Sequence, residues 1–441
     1  MTSLKKLIAV LAMSLPLAAL AQQAAAPAAD KPPLYQIYGT LNLNLQRIGT
    51  VGAPVATIGG QEQNIQSRWA VSADSTNIGV KGTANVASGF GVVYQCESNA
   101  KLDGVVPAAG DVICTRNSRI GLTNATYGTL FLGNWDTPFK ALYYGTKADD
   151  PFGSTDTFGA NNILGSPGNT TRSGQANGFD LRATNSIAYW TPKIMGLGAR
   201  AQVSVDENAT NRYHGTPGAT GAATQTDPWI FGAAVNYDQG PLSLAVGYEQ
   251  HRDSRSLQNL AGPAVIPGAA NAAAASRDQA WRLAAGYELP LPVGPLTLAA
   301  TWEQLQYTAR ITTVNTLQAY TRRAVRLSAK QRYGDHEFRA QFIWADRGTC
   351  KFSDNPGALA QNCDAIVDGR DAKQYTLGYA YYLASSTQVY LFWNRIANDQ
   401  GATYVPGAGG TLSGAPAVVA NANLVPGSDP ESYGLGMRYA F

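Results

Sequence analysis

The stretch 35–46, YQIYGTLNLNLQ, alternates between two kinds of side chain. The odd positions hold Tyr35, Ile37, Gly39, Leu41, Leu43 and Leu45, and the even positions hold Gln36, Tyr38, Thr40, Asn42, Asn44 and Gln46. Successive side chains of a β-strand point to opposite faces, so this stretch is predicted to be a strand with one apolar and one polar face. A half-buried strand of a soluble protein has the same pattern. The fold class therefore depends on how often the alternation returns.

The alternation returns along the whole chain in segments of about ten residues, which is typical of transmembrane β-barrels. The clearest repeats are 197–205, 242–249, 281–288, 338–344, 374–381 and 388–394. Residues 433–441 alternate up to the terminal Phe441, so we expect the last strand to reach Phe441 and pair with the first. A backbone inside a bilayer has no water to satisfy its polar groups, which requires a sheet without open edges.

Short turns and long polar stretches alternate between the predicted strands. The short turns lie at 85–89, 124–128, 192–197, 238–242, 289–296, 333–336 and 383–387, and the long loops at about 49–69, 99–113, 136–184, 207–228, 253–278, 310–320, 348–370 and 397–431. Seven turns and eight loops predict a 16-stranded antiparallel transmembrane β-barrel, an all-β fold with short periplasmic turns and long extracellular loops. Sixteen strands leave an aqueous channel, whereas about eight would be filled by side chains.

The first 21 residues have the features of a cleaved export signal. Lys5 and Lys6 precede a short apolar run, 7–20, and Ala19-Leu20-Ala21 fits a signal-peptidase site. A membrane anchor helix is the alternative, but the run is shorter than the roughly 20 apolar residues that span a bilayer. We expect residues 1–21 to be a signal peptide and 22–441 to form one barrel domain in the outer membrane.

The composition excludes several other classes of protein. Only 14% of the residues are charged, against about 25% in soluble domains. Acidic and basic residues nearly balance, so no strong field attracts nucleic acid. No cofactor is implied.

Four cysteines remain in the exported chain. Cys96 and Cys114 flank one loop, and Cys350 and Cys363 flank another. An even count at short spacing in an exported protein suits two local disulfides. Four free buried thiols are the alternative, and zinc is disfavoured because no paired C-x-x-C spacing occurs and histidine is scarce.

A series of short motifs resembles the general trimeric porins of Gram-negative bacteria, nearest to the β-proteobacterial type. In chain order they are Ile37-Tyr38-Gly39, Ile78-Gly79-Val80-Lys81-Gly82, Gly89-Phe90-Gly91, the TRNSRIGL stretch 115–122, Tyr127-Gly128-Thr129-Leu130, Leu132-Gly133, Asp150-Pro151-Phe152-Gly153 and the C-terminal Phe441. The resemblance covers essentially the whole mature chain. It implies a homotrimer in contact with outer-membrane lipid and lipopolysaccharide.

The resemblance also implies an inward-folded third loop, about 136–184, which narrows the pore with acidic groups opposite a basic cluster. The residues that match the acidic side are Asp149, Asp150 and Asp156, and those that match the basic side are Lys81, Arg116 and Arg182. Alternation supports an inward Lys81 and Arg182, whereas Arg116 matches the apolar positions unless a bulge intervenes. Asn77 and Asn134 stand where the family usually has arginine, which weakens an inherited anion preference.

A separate basic stripe follows the predicted strand 321–333. Its members share the polar face: Arg322, Arg326, Lys330 and Arg332. A charge on the lipid face would cost about 2–4 kcal/mol at mid-membrane, so the stripe is predicted to face the lumen. Two interpretations stay open: the stripe selects ions, or it solvates the wall and pairs with carboxylates such as Glu249, Glu288 and Glu303.

These observations predict a water-filled channel for passive diffusion of small hydrophilic solutes and ions. A substrate-specific channel with a saturable solute site is the alternative. An enzyme is disfavoured because His214, His251 and His336 form no convincing set with a nucleophile and an acid.

Overall fold

The computed structural model describes residues 34–53, 57–58, 61–62, 64–100, 102–104, 113–153, 158–166, 178–205, 228–252, 276–308, 317–352, 367–406 and 426–441. Eighteen strand segments form one sheet, and two barrel strands are each built from two segments, which gives sixteen strands. The predicted strand number is confirmed.

The barrel strands are antiparallel neighbours in chain order. They are β1 (Leu34–Val51), β2 (Arg68–Ala73 and Asn77–Asn85), β3 (Phe90–Asn99), β4 (Ser118–Asn124), β5 (Gly128–Asp136), β6 (Arg182–Trp190), β7 (Leu197–Val205), β8 (Trp229–Gln239), β9 (Leu242–Arg252), β10 (Arg277–Leu291), β11 (Gly294–Thr308), β12 (Leu317–Tyr333), β13 (His336–Ala345 and Thr349–Phe352), β14 (Ala372–Ala384), β15 (Thr387–Asn398) and β16 (Asp429–Ala440). A small hairpin pairs Thr57–Ile58 with Gln61–Glu62, and 3-10 turns occupy Ala87–Gly89 and Ala160–Asn162.

The barrel closes between its first and last strands. β1 pairs with β16 from Thr40↔Ala440 to Val51↔Asp429, and with β2 on its other side. The backbones of Gly39 and Phe441 exchange two hydrogen bonds of 3.1 Å. The terminal residue therefore takes part in closure, as the alternation predicted.

The two faces of the wall follow the alternation of the sequence. In β1 the outward Ile37 and Leu45 are 58% and 41% exposed, whereas the inward Asn42 and Gln46 are fully buried. The short turns lie at one end of the barrel and the long loops at the other, which we call the short-turn end and the long-loop end. Within the described residues, no helix is long and apolar enough to cross a membrane.

The described parts of the third long loop, residues 137–181 and called L3 below, fold into the barrel. Its described parts are 137–153, 158–166 and 178–181. The apolar side chains that it buries against the inner wall, each at most 2% exposed, are Phe139, Leu142, Phe152, Phe158, Ile163, Leu164 and Phe179. They pack mainly on β8 to β15, so L3 covers that side of the lumen.

Two glycines on the inner wall make room for L3. A Cβ atom on Gly286 of β10 would lie 2.2 Å from the carbonyl carbon of Lys147, and one on Gly378 of β14 would lie 2.6 Å from the Phe152 ring. These distances are far below van der Waals contact, so a larger residue at either position would push L3 from the wall.

Candidate functional site

The most deeply buried attachment of L3 centres on Glu303 of β11. The Glu303 carboxylate accepts a hydrogen bond from the backbone N–H of Gly165 in L3 (2.9 Å). It also forms ion pairs with Arg282 of β10 (2.7 Å) and Arg322 of β12 (3.0 Å), and all three side chains are fully buried. Arg322 in turn donates to the backbone carbonyl of Ile163 (2.7 Å). One carboxylate and two guanidinium groups thus tie L3 to three neighbouring strands.

The end of L3 is held by the same arginine. Nη1 of Arg282 lies 2.8 Å from a carboxylate oxygen of Asp180, and its guanidinium lies 4.2 Å from the centre of the Phe139 ring. Burial raises the pKa of Asp180 to about 6, although the charge of Arg282 acts in the opposite direction. The preceding residue of L3, Phe179, stacks on His251 with ring centres 4.5 Å apart.

The middle of L3 is attached further round the wall. Gln341 of β13 donates a hydrogen bond to the Asp150 carboxylate (2.6 Å). Gln374 of β14 donates to the backbone carbonyl of Phe158 (3.2 Å), and the Phe158 ring stacks on Phe392 of β15 at 4.0 Å. L3 is therefore fixed at both ends and in the middle, by contacts that the strand pattern alone does not reveal.

A cleft of about 530 Å³ separates L3 from the wall near the short-turn end. L3 contributes Asp149 and Asp150 to its lining, and the wall contributes Lys330, Arg339 and Arg438. Acidic and basic groups thus border one water-accessible space in the lumen.

The charges around the cleft differ in how they are compensated. Arg339 is paired with Glu337 (2.6 Å). Lys330 and Arg438 form no ion pair with any described residue. On the L3 side, burial raises the pKa of Asp149, so this carboxylate is neutralised more readily than an exposed one as the pH falls.

Across the lumen, a polar network lies on β1 to β3. The Tyr38 hydroxyl donates to the Glu97 carboxylate (2.8 Å), and Arg116 forms an ion pair with the same carboxylate (2.6 Å). The ammonium group of Lys81 lies 4.5 Å from the centre of the Tyr38 ring. Arg116 is compensated by Glu97, whereas Lys81 interacts with an uncharged ring.

Arg119 of β4 is enclosed by three aromatic rings on this wall. Its guanidinium lies 4.4 Å from the ring centre of Trp135, 4.8 Å from that of Trp190 and 4.9 Å from that of Phe131. Its Nε and Nη1 atoms are buried and have no hydrogen-bond partner among the residues that the structure describes. The rings fix the guanidinium without neutralising it.

The model of the Gram-negative porin family matches residues 8–402. The chain belongs to this family. The porin is therefore a channel of the outer membrane through which solutes diffuse. No curated protein sequence matches it.

Solved porin structures share its fold. The porin is similar to the anion-selective porin from Comamonas acidovorans, at 20% identity and a TM-score of 0.65, over 93% of this chain and 100% of that chain. It is also similar to the outer membrane protein OmpT of Vibrio cholerae in a trimer form (14%, 0.56, 93% and 100%) and to OmpF of Salmonella typhi in complex with daunomycin (13%, 0.52, 92% and 97%). At these identities the likeness shows the barrel fold.

The residues predicted for the constriction of the porin lie in three places. Asp149 and Asp150 are on L3 at the cleft, and Asp156 lies outside the described residues. Arg182, at the long-loop end of β6, pairs with Asp136 at 3.2 Å. These residues do not meet in one cluster, and their roles in conduction stay predictions.

The remaining predicted residues of the basic side lie on the wall of β1 to β4. Lys81 is inward in β2, and Arg116 precedes β4 rather than lying within it, which explains its ambiguous alternation. Arg119 was missed by the sequence reasoning. The signal was present, because Arg119 alternates with the outward Ile120 and Leu122, which are 60% and 50% exposed.

The predicted basic stripe of β12 extends from beneath L3 to the short-turn end. Arg322 and Arg326 are fully buried, and Arg326 donates to the backbone carbonyl of Ala148 in L3. Lys330 borders the cleft, and Arg332 lies 4.1 Å from the centre of the Tyr382 ring. Two members of the stripe are thus covered by L3.

The cysteine pairing is visible in one loop. Cys96 and Cys114 form a disulfide that closes 18 residues of sequence. Cys350 is also disulfide-bonded, and Cys363 lies outside the described residues. The first bridge lies beside the ion pair of Glu97 and Arg116.

Proposed function

We propose that this porin is a general diffusion channel for small hydrophilic solutes and ions, with a preference for anions. The observation that carries the preference is the set of inner-wall cations without a carboxylate partner among the described residues. They are Lys81, Arg119, Arg200, Arg326, Lys330, Arg332 and Arg438. The carboxylates of L3 at the cleft, Asp149 and Asp150, oppose this positive field only in part. Uncompensated wall charges of one sign raise the local concentration of counter-ions.

The similar structure from Comamonas acidovorans supports a preference for anions, because its description names an anion-selective porin. Asn77 and Asn134 stand where the family usually has arginine, which argues for a weaker preference for anions. We therefore propose selectivity set by other cations of the wall, above all Arg119 and Lys330.

We also propose that residues 1–21 are a cleaved export signal and that 22–441 assemble as a homotrimer in contact with lipid and lipopolysaccharide. The trimer form of the similar Vibrio cholerae protein supports this assembly. Transport is passive and needs no cofactor.

A non-enzymatic role is supported by the described histidines. His251 is buried, hydrogen-bonded to Glu249 (2.8 Å) and stacked on Phe179. His336, at the start of β13, is hydrogen-bonded to the Tyr379 hydroxyl (2.7 Å). Among the described residues, neither imidazole is hydrogen-bonded both to a carboxylate and to a nucleophilic hydroxyl, as a hydrolase triad requires.

The second candidate function is a substrate-specific channel, which the cleft beneath L3 favours. Asp149 and Asp150 on one side and Lys330, Arg339 and Arg438 on the other form a site for a solute with both charges. A general channel would give solute flux proportional to concentration, whereas a specific site would give saturation.

The test is single-channel recording of refolded mature protein in planar bilayers under a salt gradient. We expect conductance steps in groups of three and a reversal potential whose sign indicates anion selectivity. Lys330→Gln is expected to reduce the magnitude of this potential. Arg47→Gln, on the outer face of β1, is the matched control and is expected to leave the potential unchanged. No channel activity would contradict the proposed function, and a cation-selective potential would contradict the anion preference.

A further inference from the structure

The guanidinium group of Arg322 uses only one of its three nitrogens in the contacts beneath L3. Nη2 donates to the Glu303 carboxylate (3.0 Å) and to the backbone carbonyls of Ile163 (2.7 Å) and Ser166. Nε and Nη1 of this fully buried side chain have no hydrogen-bond partner among the described residues. A guanidinium N–H can donate but not accept, so the hydrogens on these two nitrogens lack an acceptor.

Two tyrosine hydroxyls beside Arg322 also lack a partner. Tyr307 of β11 and Tyr404, which follows β15, are fully buried, and neither hydroxyl is hydrogen-bonded to a described residue. The Arg322 guanidinium lies 5.9 Å from the centre of the Tyr404 ring. Tyr307 is on the adjacent strand, two residues from Leu305, which pairs with Arg322. Of the charged groups that act on each of these phenols, Arg322 acts most strongly.

Packing holds both tyrosine rings in place. The backbone N–H of Tyr404 donates to Oδ1 of Asn398 (3.0 Å), and its carbonyl accepts from Nδ2 of the same side chain (2.9 Å). The Tyr307 ring lies 5.5 Å from the ring centre of Phe179 and 6.4 Å from that of Tyr320. The two hydroxyls are therefore fixed beneath L3 rather than free to turn toward the water of the lumen.

The charge of Arg322 is compensated only in part. Its one carboxylate partner, Glu303, also pairs with Arg282 at 2.7 Å. Asp278 and Asp346 act on the two phenols as well, but neither forms an ion pair with Arg322. A buried charge without full compensation is costly, so the site lacks negative charge as well as hydrogen-bond acceptors.

A single bound anion would supply both. A water molecule could accept from two of the donors, but it would bring no charge. A halide ion accepts N–H and O–H donors from several directions and is a single atom, which suits an enclosure lined by fully buried side chains. Buried donors without a partner are often satisfied by an ion or a water molecule that a protein-only structure does not contain.

We propose that a resident halide ion, chloride in ordinary salt, is bound by Nε and Nη1 of Arg322 and by the hydroxyls of Tyr307 and Tyr404. Because Nη2 of Arg322 holds the backbone of Ile163, the ion completes the attachment of L3 to the wall. It lies behind L3 and is separate from the ions that pass through the lumen, so the proposal does not depend on the sign of the channel's selectivity.

The direct test is X-ray diffraction from crystals of the mature porin refolded and grown in sodium bromide. Bromide has an anomalous signal that water lacks. We expect an anomalous peak in contact with the Arg322 guanidinium and both hydroxyls. A peak without anomalous signal would identify a buried water molecule, and either that result or an empty site would overturn the proposal.

The second test compares urea unfolding of the refolded porin in sodium chloride and in sodium gluconate at equal ionic strength. Gluconate is too large for the enclosure. An ion that binds only the folded state stabilises it, and we expect the wild-type midpoint to be about 0.5 M higher in chloride. Tyr307→Phe and Tyr404→Phe are each expected to remove about half of this difference or more.

The matched control is Tyr390→Phe on β15. The Tyr390 hydroxyl is also buried, but it donates to Asn42 (2.8 Å). This variant is expected to lower the midpoint equally in both salts and to keep the difference between them. Equal wild-type midpoints in chloride and gluconate would overturn the proposal. The same would follow from a difference that persists in all three variants, because it would be a general salt effect. Heat-modified migration on gels checks that each variant is folded.

Discussion

Beneath L3, Arg282 and Arg322 are fully buried, and the Glu303 carboxylate lies within 3.0 Å of both guanidinium groups. On the wall across the lumen, Arg119 is clamped by aromatic rings and Lys81 lies over a tyrosine, with no described carboxylate in contact. The same kind of side chain therefore has two roles. A neutralised arginine anchors the loop, and an uncompensated cation contributes to the field that ions experience.

The largest effect should come from removing the anchor. Glu303→Gln leaves two buried arginines with one carboxylate fewer, and breaking a buried ion pair of this kind costs about 3–5 kcal/mol. We expect a lower urea midpoint of unfolding in liposomes and larger, noisier single-channel currents as L3 loosens. Glu288→Gln is the control, because Glu288 forms no ion pair with a described residue. Equal midpoints for the two variants would contradict the role of Glu303.

A steric change tests the same attachment without altering charge. Gly286→Val places a side chain where the Lys147 backbone lies, and overpacking of this kind costs about 1–3 kcal/mol. We expect L3 to shift and single-channel conductance to rise. Gly198→Val is the control, because the nearest atom to a Cβ there is a Lys193 side-chain carbon at 3.4 Å. Unchanged conductance in Gly286→Val would contradict the close approach of L3 to this strand.

The buried side also has a pH dependence of its own. Burial raises the pKa of Asp180 to about 6, above the usual value of 3.8, so the folded state binds this proton more tightly than the unfolded state. The contribution of Asp180 to the free energy of unfolding is largest below about pH 4. It falls as the pH rises to about 6 and is constant above that pH. The urea midpoint, measured from pH 4 to 8, should fall less in Asp180→Asn than in wild type. Identical profiles would contradict the shift.

Protonation of the cleft is expected to change ion selectivity, and this effect is smaller than those of the anchor variants. Burial raises the pKa of Asp149, so acidification neutralises it early and leaves Lys330 and Arg438 less opposed. We expect the reversal potential to become more anion-selective as the pH falls, and Asp149→Asn to reproduce part of this change at neutral pH. A shift toward cations on acidification would contradict this assignment.

The sequence predicts which cations point into the lumen, but it does not predict which of them L3 covers. Alternation placed Lys81 and the β12 stripe on the inner face because the direction of a strand side chain depends only on its position in the strand. Arg119 is not part of that prediction: its alternation with the outward Ile120 and Leu122 indicates the inner face, whereas the motif match names Arg116.

The sequence does not show which inward cations anchor L3 and which contribute to the electric field in the lumen. Arg322 and Lys330 share one face of one strand, yet L3 covers the first and leaves the second at the cleft. Which of them is covered depends on contacts such as the one between Gly165 and Glu303, which are 138 residues apart in the chain. No periodic pattern encodes a contact over that distance.

The most direct test of these two roles compares Arg322→Gln with Lys330→Gln, two inward cations of β12. Reversal potential in a salt gradient and the urea midpoint are measured for both variants. We predict that Lys330→Gln reduces anion selectivity and leaves the midpoint unchanged, whereas Arg322→Gln lowers the midpoint and changes the reversal potential less. A larger change of reversal potential in Arg322→Gln, with its stability intact, would contradict the account.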